Sequence, residues 1–206
     1  SSNEANISGF LNMLISARDS NIKNFIYASS SSAYGDHESL PKVEDVIGKP
    51  KNPYSITKYV NELYANTFEE HYNFKSIGLR YFNVYGPRQR ENGDYAAVIP
   101  KWIKNILNKQ DVEIYGDGKT SRDFCYIDNA VQANIIAALS ENEIAKGQVY
   151  NISVGDQTSL NNLFSMIHNN IENAIGENIK ARPIYKDFRA GDIRHSRADI
   201  SKAKKL

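Results

Sequence analysis

The sequence predicts an α/β protein built on a parallel sheet, and three observations carry that expectation. Short apolar runs at 25–28, 76–82 and 149–152 have the length and composition of buried strands. Between them lie stretches of ten or more residues with helical apolar spacing, as crossover connections in a parallel sheet require. With 206 residues the chain can bury a full core in one or two domains.

Taken in order, residues 5–19 place Ile7, Phe10, Leu11, Leu14 and Ile15 on one face and predict an amphipathic helix. Phe25-Ile26-Tyr27-Ala28 is the first strand, and the Gly-, Pro- and Lys-rich stretch 35–52 is a loop. Pro53 suits a first helical turn, from which a helix runs to about Tyr72. Ile56, Val60, Leu63, Thr67 and Phe68 are its expected buried stripe. The strand at 76–82 follows, then a helix at 97–108 and a strand Val112-Glu113-Ile114-Tyr115 leading into the turn Gly116-Asp117-Gly118. A helix near 128–140, a strand at 149–152 and a helix capped by Thr158 or Ser159 complete the pattern. Residues 180–195 mix basic, acidic and aromatic side chains without periodicity, and there is no internal repeat.

Composition removes several function classes. The net charge is +1 and lacks a basic block beyond the last lysines, which argues against nucleic-acid or membrane-surface binding. No apolar run approaches the roughly 18 residues of a membrane span. Cys125 is the only cysteine, so an intrachain disulfide is impossible and a reducing, cytoplasmic setting is expected. His37, His71, His168 and His195 show no ligand-like spacing, so no metal site is expected. The chain opens without methionine and stops inside a helical pattern, which suggests a piece of a longer protein.

Chemistry concentrates in Ser29-Ser30-Ser31-Ser32-Ala33-Tyr34-Gly35 and Pro53-Tyr54-Ser55-Ile56-Thr57-Lys58. Two Tyr-x-x-x-Lys matches occur, and the second, Tyr115 to Lys119, spans Gly-Asp-Gly and cannot be helical. Tyr54 and Lys58 can share a helix face. A free phenol loses its proton near pH 10, and an ammonium about 4 Å away at an effective dielectric near 20 is worth about 4 kcal/mol, roughly three pKa units. Such a pair suits proton transfer at an alcohol that gains or loses hydride. Ser30 closes a strand, which puts it at the carboxyl edge where open parallel sheets bind ligands.

With Leu79-Arg80-Tyr81-Phe82-Asn83-Val84-Tyr85-Gly86-Pro87-Arg88 and Arg122-Asp123-Phe124-Cys125-Tyr126-Ile127-Asp128, these segments resemble the extended short-chain dehydrogenase/reductases that act on nucleotide sugars. Gln89, the stretch 96–102 and the stretch 187–196 are more specifically similar to bacterial UDP-N-acetylglucosamine 4-epimerases. Such enzymes, and relatives acting on uronic acids, supply surface-polysaccharide pathways, O-antigen among them. The resemblance implies a partial Rossmann-type parallel sheet with a smaller mixed α/β substrate-binding region. Residues 1–86 would be the second half of the dinucleotide-binding domain and 87–206 mainly the substrate region, with about 120–152 returning to the first.

The resemblance further implies NAD as cofactor, a UDP-sugar as substrate and a homodimer built on the helix at 5–19 and the one bearing Tyr54. Tyr54 becomes the acid/base, Lys58 its electrostatic partner and ribose ligand, and Ser30 the ligand of the sugar O4. Ser31 and Ser32 line the sugar pocket. Asn83, Arg122 and Arg189 contact the diphosphate and Asp192 the uridine ribose, while Ala97, Val98 and Tyr115 frame the uracil. Gln89 joins the substrate residues, and Ser29, Tyr81 and Phe82 join Tyr54 and Lys58 around the cofactor. Ser196 stands where strict UDP-galactose 4-epimerases carry a bulky tyrosine, which would leave room for an N-acetyl group. One departure is large: none of the 12 glycines forms a Gly-x-x-Gly-x-x-Gly run, so these residues alone are expected to bind NAD poorly. The rival activities are UDP-glucuronate 4-epimerase or decarboxylase, a 4,6-dehydratase, and a non-catalytic NAD-binding member of the fold.

Overall fold

The computed structural model describes residues 2–92, 97–189 and 191–205. Ala96 and Ala190, which belong to the stretches compared above, lie outside the described residues. A π-helical turn Glu4–Ser8 leads into α1 (Gly9–Asp19), followed by β1 (Phe25–Ser30), a 3-10 turn Ser31–Tyr34 and α2 (Pro53–Tyr72). Next come β2 (Ser76–Tyr81), β3 (Val84–Tyr85), α3 (Val98–Leu107), β4 (Val112–Tyr115), β5 (Ser121–Arg122), β6 (Cys125–Tyr126) and α4 (Ile127–Leu139). The remainder is β7 (Gln148–Ile152), β8 (Thr158–Ser159), α5 (Leu160–Ile175), β9 (Pro183–Lys186) and α6 (Ser201–Lys204).

β1, β2 and β7 form a parallel sheet in that spatial order, with Ser30 opposite Tyr81 and Tyr81 opposite Ile152 at its carboxyl edge. Strand alternation sends Ile77 and Leu79 into a core with Ala137 of α4 and Tyr150 and Ile152 of β7. Gly78 and Arg80 face the other way, toward α2. A Cβ at Gly78 would lie 2.6 Å from the Tyr27 ring, so glycine is required for that strand contact.

α2 begins with Pro53 at its first turn and a reciprocal Asn52–Ser55 capping box, and ends on Asn73 in the left-handed conformation. Its buried stripe differs from the expected one. Ser55, Thr57, Asn61, Glu62, Ala65 and Phe68 face inward, whereas Ile56 and Leu63 are exposed, Thr67 is exposed and Val60 is half-buried. The reason is polar: Asn6 donates to Thr57 and Arg80 forks onto Glu62, so hydrogen bonds rather than apolar packing choose the inward face.

A second core joins Ile99, Trp102 and Ile106 of α3 to Val112 and Ile114 of β4, Leu163 of α5, Ile179 and Ala181. β9 adds a parallel strand to β4 within the stretch that shows no periodicity, because Ile184 and Tyr185 are exposed and leave no apolar alternation. The loop after Gly35 is tied to the chain near 197–199: the Lys42 amide donates to Arg197 O and the Asp199 amide to Lys42 O. No helix among the described residues is long and apolar enough to cross a membrane. No cluster of His, Cys, Asp and Glu among them could hold a metal.

Candidate active site

The carboxyl edge of the sheet gathers the proton-transfer candidates. Lys58 lies one turn beyond Tyr54, and its Nζ donates to Ala28 O at 2.9 Å and stands 5.9 Å from the Tyr54 ring centre. Burial lowers the Lys58 pKa from the ordinary lysine range. Ala28 is two residues before Ser30, so α2 presents Tyr54 and Lys58 to the end of β1 that carries the serine. Ser30 caps the 3-10 turn, its Oγ accepting from the Ser32 amide at 3.2 Å and the Ser32 hydroxyl at 3.0 Å. Ser31 is half-buried in the same turn. Tyr54 is 46% exposed and thus open to a ligand.

Strand alternation separates Ser29 from its neighbour. Ser29 is buried and its hydroxyl donates to Glu62, so its side chain is turned away from the edge. Phe82 is fully buried against Tyr34 and Ala198. Both residues are expected around the cofactor; within this chain both side chains are buried and partnered internally. Tyr81 does stand at the edge, its hydroxyl accepting from Asn134 at 2.6 Å and its pKa raised chiefly by burial.

Two residues past Tyr81, Asn83 opens a cavity of about 470 Å³ between the sheet edge and the second core. Val98, Tyr115, Arg122, Arg189 and Asp192 line it with Asn83, six of the residues the sequence nominates. Arg122 donates to Asp192 at 2.6 Å and to Ser121 O at 2.9 Å. Burial lowers the Arg122 pKa, with Asp192 opposing that shift. The Arg189 guanidinium lies 3.8 Å from the Tyr115 ring centre. Asn83 donates to Asp123 O at 3.0 Å, and Trp102, Lys101 and Thr120 are among the other wall residues. Two arginines beside an aromatic face are a donor set for a diphosphate carrying a planar base.

Other nominated residues fall elsewhere. Ala97 is the half-buried residue preceding α3. Gln89 donates to Val84 O at 3.3 Å and lines a separate groove between α3 and α5, so it does not join the arginine cavity. Ser196 is half-buried, its amide bonded to Ser121 O at 3.1 Å. The cavity wall itself does not include Tyr54, Lys58 or Ser30; the common sheet edge is what relates the two sets.

Sequence reasoning missed the buried charges that hold these pieces. Asp123 is fully buried and accepts from the Ser153 hydroxyl and from the amides of Val154, Gly155 and Ala198. It thereby fixes the loop that presents Arg122. Its position directly after Arg122 in a quoted motif was the one signal available.

The sequence pattern of the NAD dependent epimerase/dehydratase family matches residues 2–153. The chain belongs to that family. It is 42% identical to a UDP-N-acetylglucosamine 4-epimerase from Methanobrevibacter ruminantium M1, solved in complex with UDP-N-acetylmuramic acid, with a TM-score of 0.89 over 98% of this chain and 62% of that one. UDP-glucuronic acid 4-epimerase from Bacillus cereus, in complex with UDP-glucuronic acid and NAD, is 31% identical with a TM-score of 0.86 over 99% and 61%. A UDP-glucuronate 4-epimerase of Thermodesulfobacterium geofontis is 35% identical over 98% of this chain and 59% of its own length. The chain therefore spans about three-fifths of these family members. The ammonium, phenol and hydroxyls at the edge suit the ribose and nicotinamide end of a dinucleotide. No glycine-rich phosphate loop is present in this sequence to hold the other end.

Proposed function

We propose that this chain supplies the proton-transfer groups and the nucleotide-sugar pocket of an NAD-dependent UDP-hexose 4-epimerase, an isomerase. UDP-N-acetylglucosamine and UDP-N-acetylgalactosamine are its favoured pair, with the corresponding uronic acids as the next candidates. The observation that carries this is the presence of Tyr54, Lys58 and Ser30 on the same carboxyl edge as the arginine cavity. NAD, when bound, would supply a reversible hydride acceptor for C4, which makes the overall reaction redox-neutral.

The residues of this chain do the rest. Tyr54 takes the proton from O4 and gives it back, while Ser30 holds that oxygen. Lys58, fixed to Ala28 O, keeps a positive charge beside the phenol. Arg122 and Arg189 grip the diphosphate and Tyr115 stacks on the base, which leaves the 4-keto sugar free to turn about its diphosphate link. The outward faces of α1 and α2, with Met13, Ile56 and Leu63 exposed, pair with a second copy. The product would enter surface-polysaccharide synthesis in the cytoplasm.

The full-length protein incubated with NAD and UDP-N-acetylglucosamine should yield UDP-N-acetylgalactosamine by NMR. Turnover of UDP-glucuronate alone would move the substrate to the uronic acids. No interconversion of any UDP-hexose would overturn the proposal.

A further inference from the structure

The most deeply buried ion pair among the described residues lies beside the candidate proton-transfer groups, and the mechanism above does not use it. Glu62 follows Lys58 by one turn of α2, and Arg80 is on β2; their side chains are 5% and 3% exposed. Arg80 Nε and Nη2 donate to Glu62 Oε1 and Oε2 at 2.8 and 2.6 Å, a two-pronged contact. Ser29 donates to the same Oε1. The third nitrogen of Arg80 donates to Glu44 O at 2.8 Å. The guanidinium also stands 4.7 Å from the Tyr34 ring centre, and the Tyr34 hydroxyl donates to Asn151 at 2.7 Å. Burial pushes the Tyr34 pKa up to about 12, so it remains a donor.

One buried network therefore touches the pieces that carry Tyr54, Lys58 and the serines 30–32. α2 bears Tyr54 and Lys58, β1 bears Ser29 beside Ser30, and the 3-10 turn bears Ser31, Ser32 and Tyr34. Apart from the Asn6–Thr57 bond, the inner face of α2 has few other side-chain tethers near Lys58. Ser55, Thr57, Asn61 and Ala65 are small or polar, and Phe68 alone is a large buried apolar group, at the far end. Apolar packing tolerates sliding, whereas a fork between a carboxylate and a guanidinium sets both distance and direction.

We propose that Glu62 and Arg80 are positioning residues, which hold α2 in register against β1 so that Lys58 reaches Ala28 O and Tyr54 faces Ser30. This rests on the proposed epimerase chemistry. It adds that the rate depends on a buried ionic fork that never meets the substrate.

The test uses the full-length enzyme with three changes: Glu62→Gln, Ser29→Ala, and the paired Glu62→Leu with Arg80→Met. The paired change keeps volume and removes both charges, so unlike a single loss it leaves no uncompensated buried charge. Misplacing α2 by about 1 Å should lower kcat about 10- to 100-fold, while KM for the UDP-sugar stays within about threefold. In a Tyr54→Phe background the same changes should cost less than about threefold, because the group they position is gone. Crystal structures of the paired or Ser29→Ala variants should show Lys58 Nζ released from Ala28 O. A folded paired variant with wild-type kcat, full multiplicative loss in the Tyr54→Phe background, or an unmoved Lys58 would overturn the proposal. A wild-type enzyme inert toward every UDP-hexose would instead sink the functional proposal, and the Lys58 contact would still decide this one.

Discussion

Replacing Asp123 by Asn should destabilise the fold far more than its single-atom change suggests. The carboxylate is fully buried, and Oδ1 accepts from the Ser153 hydroxyl and from Val154 N at 3.3 Å. Oδ2 accepts from Gly155 N at 3.1 Å and Ala198 N at 3.0 Å. Asparagine keeps one acceptor oxygen: with its NH2 on the Oδ2 side it confronts two amide donors, and on the Oδ1 side it confronts the Val154 amide, where the Ser153 hydroxyl can turn to accept. Even the better orientation leaves the Val154 amide without its partner, at about 1–3 kcal/mol. That is a large share of a typical stability of about 5–15 kcal/mol. Urea unfolding followed by far-UV circular dichroism should show a lower midpoint at an unchanged slope. UDP affinity should fall with it, since Asn83 donates to Asp123 O and Arg122 is the preceding residue. A variant within about 0.5 kcal/mol of wild type would refute the claim that these amides depend on the carboxylate.

Other outcomes follow from the same geometry. Arg122→Gln should weaken UDP binding by calorimetry about 30-fold or more, the loss of a charge-assisted contact of about 2 kcal/mol or more. An unchanged Kd would remove Arg122 from the diphosphate site. Lys58 has a lowered pKa in the fold, so above that pKa the unfolded chain binds more protons. Stability should therefore rise as pH climbs from the lowered value toward the ordinary lysine range, and Lys58→Met should abolish that part of the slope. Denaturant midpoints across this window, variant against wild type, decide the matter; identical slopes would contradict it. Ser196→Tyr should depress turnover of N-acetylated UDP-sugars while sparing the unsubstituted hexoses, and equal loss on both would argue against a size gate.

The parts legible in the sequence share one property: their signal is local. Pro53 opening a helix, Ser159 capping another, and Tyr54 and Lys58 four residues apart on one face all read without knowledge of tertiary contacts. The short apolar runs within β1, β2 and β7 are legible because largely buried stretches of parallel strand are rich in apolar side chains. What failed depends on distant partners. The inward face of α2 carries Glu62 because Arg80, 18 residues on, answers it; hydrophobic periodicity points to Ile56 and Leu63 instead. Ser29 and Ser30 look alike in a run of four serines, and only strand direction decides which meets the cleft. Gln89 shows the same limit, since a motif match does not say which groove its side chain enters. The strand Pro183–Lys186 escaped because backbone pairing to β4 needs no apolar pattern on an exposed edge.

The most direct test compares full-length wild type with Tyr54→Phe, following C4 inversion of UDP-N-acetylglucosamine by NMR at saturating NAD. The expected result is steady interconversion by the wild type and a loss of about 10²-fold or more in kcat for the variant, with UDP binding retained. A variant that inverts C4 at the wild-type rate would show that the phenol at this sheet edge is not the proton-transfer group.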